Sequence, residues 1–194
     1  LIEVSESVKC FIIIGMPAAG KDIARQVAQA KGYPILPPAT SSGRNRPGGT
    51  CRPMLKAWPN STELRGSDGL GVTRLALKTA VDSDAPVVFM EGIRSQQEID
   101  LIGAHAETVV VAFLAPRLLR RQRVLSRGRS DDSAAAFDGR DRREIEYGLS
   151  IPIALADEYI LNTGTPEEAL AAFSRIVERH TAARFPHSSE RPPA

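Results

Sequence analysis

The apolar run Phe11-Ile12-Ile13-Ile14 leads directly into Gly15-Met16-Pro17-Ala18-Ala19-Gly20-Lys21 and then into Ile23-Ala24-Arg25-Gln26-Val27-Ala28, which has helical spacing. A continuous β-branched run suits a strand covered on both faces, as parallel sheets require. Between such a strand and a helix, paired glycines closed by a lysine fit a loop that grips phosphate with its main chain. In that reading the N–H groups of Ala18 to Lys21 point inward, the helix amino end adds positive charge, and Lys21 reaches the β- and γ-phosphates. The alternative is a plain glycine turn with Lys21 solvated. The agreement of strand, loop and helix favours the phosphate site.

The next residue is Asp22, where a serine or threonine hydroxyl normally binds Mg²⁺. A carboxylate is also a hard oxygen ligand, yet it sets negative charge beside a triphosphate. The expected nucleotide-binding set is therefore Gly15, Met16, Pro17, Ala18, Ala19, Gly20, Lys21 and Asp22, with Asp22 also a candidate metal ligand.

Further along, strands alternate with helices. Lys9 to Ile14 reads as a strand, Lys21 to Ala30 as a helix stopping near Gly32, and Tyr33 to Leu36 as a short strand. From Pro37 to Gly71 neither a helical nor an alternating period is kept, and glycine, proline, arginine and serine dominate. Such a long structureless connection reads as a lid, a binding loop or disorder. A helix is expected over Val72 to Val81 with Leu75, Ala76 and Thr79 on one side, then a buried strand over Pro86 to Met90. Ser95 with Glu98 has capping-box spacing for a helix to about Ile102. Thr108 to Leu114 is a strand, Pro116 opens an arginine-rich helix through Val124 and Leu125, and a charged section follows from Arg127 to Glu144. Ile151 to Ala156 reads as a short helix, Glu158 to Leu161 as a last strand, and Thr165-Pro166-Glu167-Glu168 starts a terminal helix to about Arg179. The tail from 181 to 194 is proline-rich and expected to be disordered.

This alternation predicts one α/β domain over residues 1–180, with an open parallel sheet whose ligands sit beyond the carboxyl ends of the strands. Glu91, just after a buried strand, is placed to orient Mg²⁺ or an acceptor hydroxyl, or is simply a surface carboxylate. Arg94 would bind acceptor phosphate or pair with Glu98 one turn on. Of the arginines in the 117–145 lid region, Arg127 and Arg129 are the better candidates to close over the transferring group, and at least half of Arg117, Arg120, Arg121 and Arg123 should be solvated helix charges. One of Arg140, Arg142 and Arg143 would face the nucleotide. Asn162 and Thr163 follow the last strand, where an adenine could be contacted or a turn simply made.

A net charge of +2 over 194 residues gives no general case for nucleic acid. No apolar run approaches the roughly 20 residues of a membrane span, and no signal-peptide pattern is seen. Cys10 and Cys51 have no metal spacing and read as reduced thiols, so a cytoplasmic protein, monomeric or homodimeric, is expected.

The chain resembles the archaeal-type, adenylate-kinase-related P-loop family described as a probable dephospho-CoA kinase or uncharacterised nucleotide-kinase-like NTPase. The likeness rests on Gly15-Met16-Pro17, on Glu91-Gly92-Ile93-Arg94-Ser95, and on Leu125 through Asp132. Arg140-Asp141-Arg142-Arg143-Glu144, Gly148, Ile153 to Asp157, Asn162 and Gly164-Thr165 complete it. The resemblance implies a P-loop NTPase three-layer sandwich of nucleoside-monophosphate-kinase type, using ATP and Mg²⁺ to phosphorylate a small-molecule acceptor, either a nucleotide or dephospho-CoA. Lys21 matches the phosphate-binding lysine, Asp22 stands where serine is common, Glu91 stands where aspartate is usual, and Arg127 and Arg129 match lid positions. The catalytic set is then Lys21, Glu91, Arg127 and Arg129, with Asp22 and Glu91 toward metal and Asn162 toward the base. An NTPase switch and an impaired nucleotide-binding remnant are the rivals, the latter favoured by Asp22.

Such proteins typically carry Gly-Asp-Val-Val-Arg-Glu-Glu after the second strand, whose Asp and Arg help engage the acceptor. Here the chain reads Pro38-Ala39-Thr40-Ser41-Ser42-Gly43-Arg44-Asn45. Joining the third base of each codon to the first two of the next permits the missing residues in order. From Thr50 through Lys56 the same shift permits Leu-Pro-Thr-Asp-Ala-Glu. Residues 37–62 thus read as translated out of frame, with the frame restored by about Leu64. The alternative is a divergent loop.

Overall fold

A computed structural model describes residues 8–36, 69–129 and 132–182. The expectations for residues 37–68 and for the tail beyond Ala182 lie outside the described residues.

Among the described residues five strands, β1 (Lys9–Ile14), β2 (Ile35–Leu36), β3 (Val87–Glu91), β4 (Glu107–Leu114) and β5 (Glu158–Leu161), form one sheet in the order β2-β3-β1-β4-β5. Every pairing is parallel, with Ile13 beside Glu91 on one flank and Val111 on the other. The central strand is wholly buried, which is why it reads as an unbroken apolar run.

Because side chains alternate across a strand, β1 divides the core in two. Phe11 and Ile13 face α1 (Asp22–Lys31) and α7 (Pro166–Ala182), joining Ile23, Val27, Phe173 and Val177. Cys10, Ile12 and Ile14 face α2 (Gly71–Val81), α3 (Gln96–Gly103) and the short α6 (Ser150–Ala154), joining Leu77, Ile99 and Ile102. On the first side, rings of Phe11, Phe89, Phe173 and Phe113 run in contact at 5.3, 5.5 and 5.4 Å between successive centroids. Each such buried ring contributes about 1.5–3 kcal/mol relative to exposure. The open parallel sheet expected from the alternation is what forms, with helices on both faces as the resemblance implies.

Local chemistry sets the helix ends. Gly32 closes α1 in the left-handed region at φ 70°, donating to Ala28 and Gln29 carbonyls. Ser95 and Glu98 make the expected capping box, and Thr165 with Glu168 makes the same reciprocal pair at α7.

Three expectations need correcting. The buried face of α2 is Gly71, Thr73, Leu77 and Ala80, whereas Leu75, Ala76 and Thr79 are only half-buried. The charged section contains a full helix, α5 (Ala134–Glu146), begun where the Ser133 hydroxyl accepts from Ala136 N–H at 3.1 Å. It was hidden because α5 buries only Phe137 and Asp141, too narrow a stripe to stand out among arginines. The guanidinium of Arg94 pairs with Glu144 at 2.9 Å, not with Glu98, whose carboxylate accepts from the backbone N–H groups of Arg94 and Ser95. Among the described residues, no helix is long and apolar enough to cross a membrane.

Candidate active site

All strands being parallel, the carboxyl ends of β1, β3, β4 and β5 lie along one edge, and the loop from Gly15 to Lys21 rises from the middle of it. The loop's shape is set by unusual torsions: Gly15 at φ 145°, Ala18 at 60° and Gly20 at 98°. A Cβ on Gly15 would lie 2.5 Å from the Phe113 carbonyl oxygen, so β4 itself forbids a side chain there. The turn is closed by Ala19 N–H to Met16 O at 3.1 Å, and α1 starts with Ile23 N–H to Gly20 O at 3.1 Å.

Lys21 folds back over this turn, donating to the carbonyls of Gly15 and Met16. Burial pushes its ammonium below the ordinary lysine value, while Glu144, Glu91 and Asp22 pull it back up and Arg94 pushes it down. Carbonyl oxygens hold its nitrogen and the nearby carboxylates favour its charged form, as added phosphate oxygens would.

Three successive loop carbonyls receive hydrogen bonds from outside the loop. Arg120 donates to Pro17 O at 3.0 Å, Arg123 reaches Ala18 O at 3.5 Å, and the Asn162 amide donates to Ala19 O at 2.9 Å. Arg120 and Arg123 belong to α4 (Arg117–Arg127), and Asn162 follows β5. Asn162 is buried, and its own carbonyl accepts from Arg123 at 2.9 Å.

Glu91 ends β3 beside the loop, its carboxylate taken by Arg25 of α1 through Nε at 3.1 and 3.0 Å. Arg94, near by, pairs with Glu144 of α5 and lies 5.8 Å from the Tyr147 ring centre. Asp22 is exposed in the first turn of α1. At the far end of α4, Arg127 makes a two-point pair with Asp132 at 2.9 and 2.7 Å, Arg140 joins the same carboxylate at 3.0 Å, and the Arg129 N–H adds a longer bond at 3.3 Å. These donors hold the Asp132 carboxyl well below the usual carboxylate range, Arg127 foremost. A cleft of about 400 Å³ lies between Met16 and the arginine helices, lined also by Arg117, Asp138, Arg142 and Ile145.

No family model matches the chain. A UPF0200 protein of Methanocaldococcus jannaschii is 32% identical over 176 residues, covering 86% of this chain and 87% of the relative. The chain belongs to the UPF0200 family. Among solved structures, a gluconokinase from Sinorhizobium meliloti matches this UPF0200 chain with a TM-score of 0.57 at 14% identity, over 92% of this chain and 99% of the other. The shikimate kinase of Acinetobacter baumannii in complex with shikimate gives 0.51 at 14% identity, over 93% and 97%. At these identities the likeness establishes the fold, an α/β P-loop kinase fold of nucleoside-monophosphate-kinase type.

Of the residues expected from sequence, the UPF0200 fold brings Lys21, Glu91, Asp22 and the Gly15 to Gly20 loop to one edge. Asn162 lies beneath the loop, its side chain engaged with Ala19 O, and Arg127 and Arg129 stand at the far end of α4 against Asp132. Arg25, Asp141 and Glu144 have no site role in the sequence reading, and Arg120 and Arg123 stand there only among the lid-region arginines, at least half of them expected to be solvated. A signal existed for two of them: Arg120 precedes Val124 by one helical turn and Asp141 follows Phe137 by one, so each polar residue falls on its helix's narrow buried stripe.

Proposed function

We propose that this protein is an ATP-dependent phosphotransferase acting on a small acceptor, a nucleotide or dephospho-CoA being the first to try. The observation that carries the reading is the loop itself: a half-buried Lys21 folded over a glycine turn at the start of α1, with the turn's carbonyls held from outside by Arg120, Arg123 and Asn162. The kinases among its structural neighbours, named for gluconate and shikimate chemistry, support a small acceptor.

Lys21 would exchange its bonds to Gly15 and Met16 carbonyls for phosphate oxygens and follow the charge that moves to the bridging oxygen. Glu91, fixed by Arg25, would orient the acceptor hydroxyl. Asp22 and Glu91 would be the carboxylates offered to Mg²⁺, an ion that takes one or two carboxylates and completes its shell with phosphate and water, with Glu91 giving up its contact to Arg25. When bound it would neutralise charge between the transferring groups. Arg127 and Arg129 would close over the site once released from Asp132, expelling water.

The Asp22 carboxylate favours a second reading, an NTPase switch or an impaired nucleotide binder. Incubation with labelled MgATP separates them across a panel of nucleoside monophosphates and dephospho-CoA. Label in an organic acceptor supports the kinase, acceptor-independent phosphate release the switch, and binding without turnover the remnant.

A further inference from the structure

Arg120 and Asp141 are both 5% exposed and form a two-point ion pair, Nη1 to Oδ1 at 2.6 Å and Nη2 to Oδ2 at 2.8 Å. Arg120 also lies 5.4 Å from the Phe137 ring centre. As a means of packing α4 on α5 this is a poor choice, because desolvating two charges offsets most of their attraction and an apolar pair of similar size packs at least as well. An apolar pair cannot hold a carbonyl. The Arg120 fork is spent in fixed directions: Nε donates to Ala115 O at 3.2 Å, and Nη1 reaches Pro17 O at 3.0 Å as well as Asp141. Asp141 therefore sets the plane of the guanidinium, and that plane sets the Pro17 carbonyl. In a trans peptide the carbonyl and the following N–H point opposite ways. With Pro17 O drawn toward α4, the Ala18 N–H turns to the other side, and Ala18 takes up its left-handed φ of 60°.

We propose that Arg120 and Asp141 are positioning residues for the phosphate loop, a buried pair that turns the Pro17–Ala18 peptide so that the Ala18 N–H faces a bound phosphate. The role rests on the reading of this loop as a nucleotide site. It also ties α4, the helix that carries Arg127, to the loop.

The test is the double substitution Arg120→Met with Asp141→Leu, compared with the native protein by melting temperature, MgATP titration calorimetry and the amide NMR resonance of Ala18. The expected result is a fold whose melting temperature is kept, MgATP affinity lower by roughly ten- to hundredfold, and a displaced Ala18 resonance in nucleotide-free protein. A double variant that binds MgATP as tightly as the native chain with an unmoved Ala18 resonance would overturn the proposal. Should the double variant fail to fold, Arg120→Lys is judged by the same two readouts, since a lysine keeps the charge opposite Asp141 but lacks the fork. If the native protein ignores MgATP, the nucleotide reading falls. A displaced Ala18 resonance would then still uphold control of the peptide by Arg120, and an unmoved one would end it.

Discussion

Arg25 holds Glu91 through both carboxylate oxygens, Nε lying 3.1 Å from one and 3.0 Å from the other, across the gap between α1 and the end of β3. The carboxylate is fixed in direction while its partner remains half-exposed, with 48% of the Arg25 side chain open to solvent.

Glu91→Gln is expected to lower kcat by about a hundredfold or more, in the range for loss of a positioned acid-base or orienting group, with the melting temperature little changed. Arg25→Ala should lower kcat less, because Glu91 survives but is no longer aimed. Steady-state kinetics on both variants checks the order, and an Arg25→Ala effect larger than that of Glu91→Gln would contradict it.

Lys21 sets function against stability. Burial lowers its pKa from 10.5, so the folded chain releases this proton more readily than the unfolded chain does. Stability from this group therefore increases as pH climbs from the lowered folded value to 10.5, and at neutral pH the buried charge is a cost. Lys21→Met should hold or raise the melting temperature at pH 7 and flatten that alkaline rise, while turnover drops to background. Lys21→Ala should likewise abolish turnover with the fold intact. Unchanged activity in either variant would remove Lys21 from the mechanism.

Cys10 lies in the middle of the sheet, fully buried, and burial pushes its thiol up to about 12. A maleimide at pH 8 should leave Cys10 unmodified in the native protein and label it in denaturant, since only the thiolate reacts. Peptide mapping by mass spectrometry reads the outcome, and native labelling of Cys10 would mean that β1 opens far more readily than its burial implies.

The segment from 37 to 62 yields a prediction at the level of the gene. Sequencing across it should reveal a single-base shift that restores Gly-Asp-Val-Val-Arg-Glu-Glu after Leu36, and a protein made from the corrected frame should gain acceptor-dependent turnover. Codons that spell Pro38 to Asn45 in one uninterrupted frame would refute this.

The parallel sandwich was legible because its strongest signals are local. The run Phe11 to Ile14, the capping residues Ser95 and Thr165, and the glycines at 15, 20 and 32 each act within a few positions of themselves. The presence of Glu91 at the same edge as the loop follows from that topology. The supports of the loop were not legible. Arg120, Arg123 and Asn162 lie more than a hundred residues from the carbonyls they hold, and no period or motif in one sequence relates them. For Arg94, two acidic partners were open to one arginine, and the tertiary one, Glu144, took it. In α5 the helix was obscured because its buried stripe includes an aspartate, made tolerable by Arg120 and Arg117 of α4.

A Cβ added to Gly20 would stand 1.9 Å from the Asn162 amide nitrogen, so the vacancy at one position is filled by the other. A side chain at residue 20 would strain a φ of 98° and push away the amide that donates to Ala19 O, so one added methyl would loosen the loop from both ends of the sheet edge.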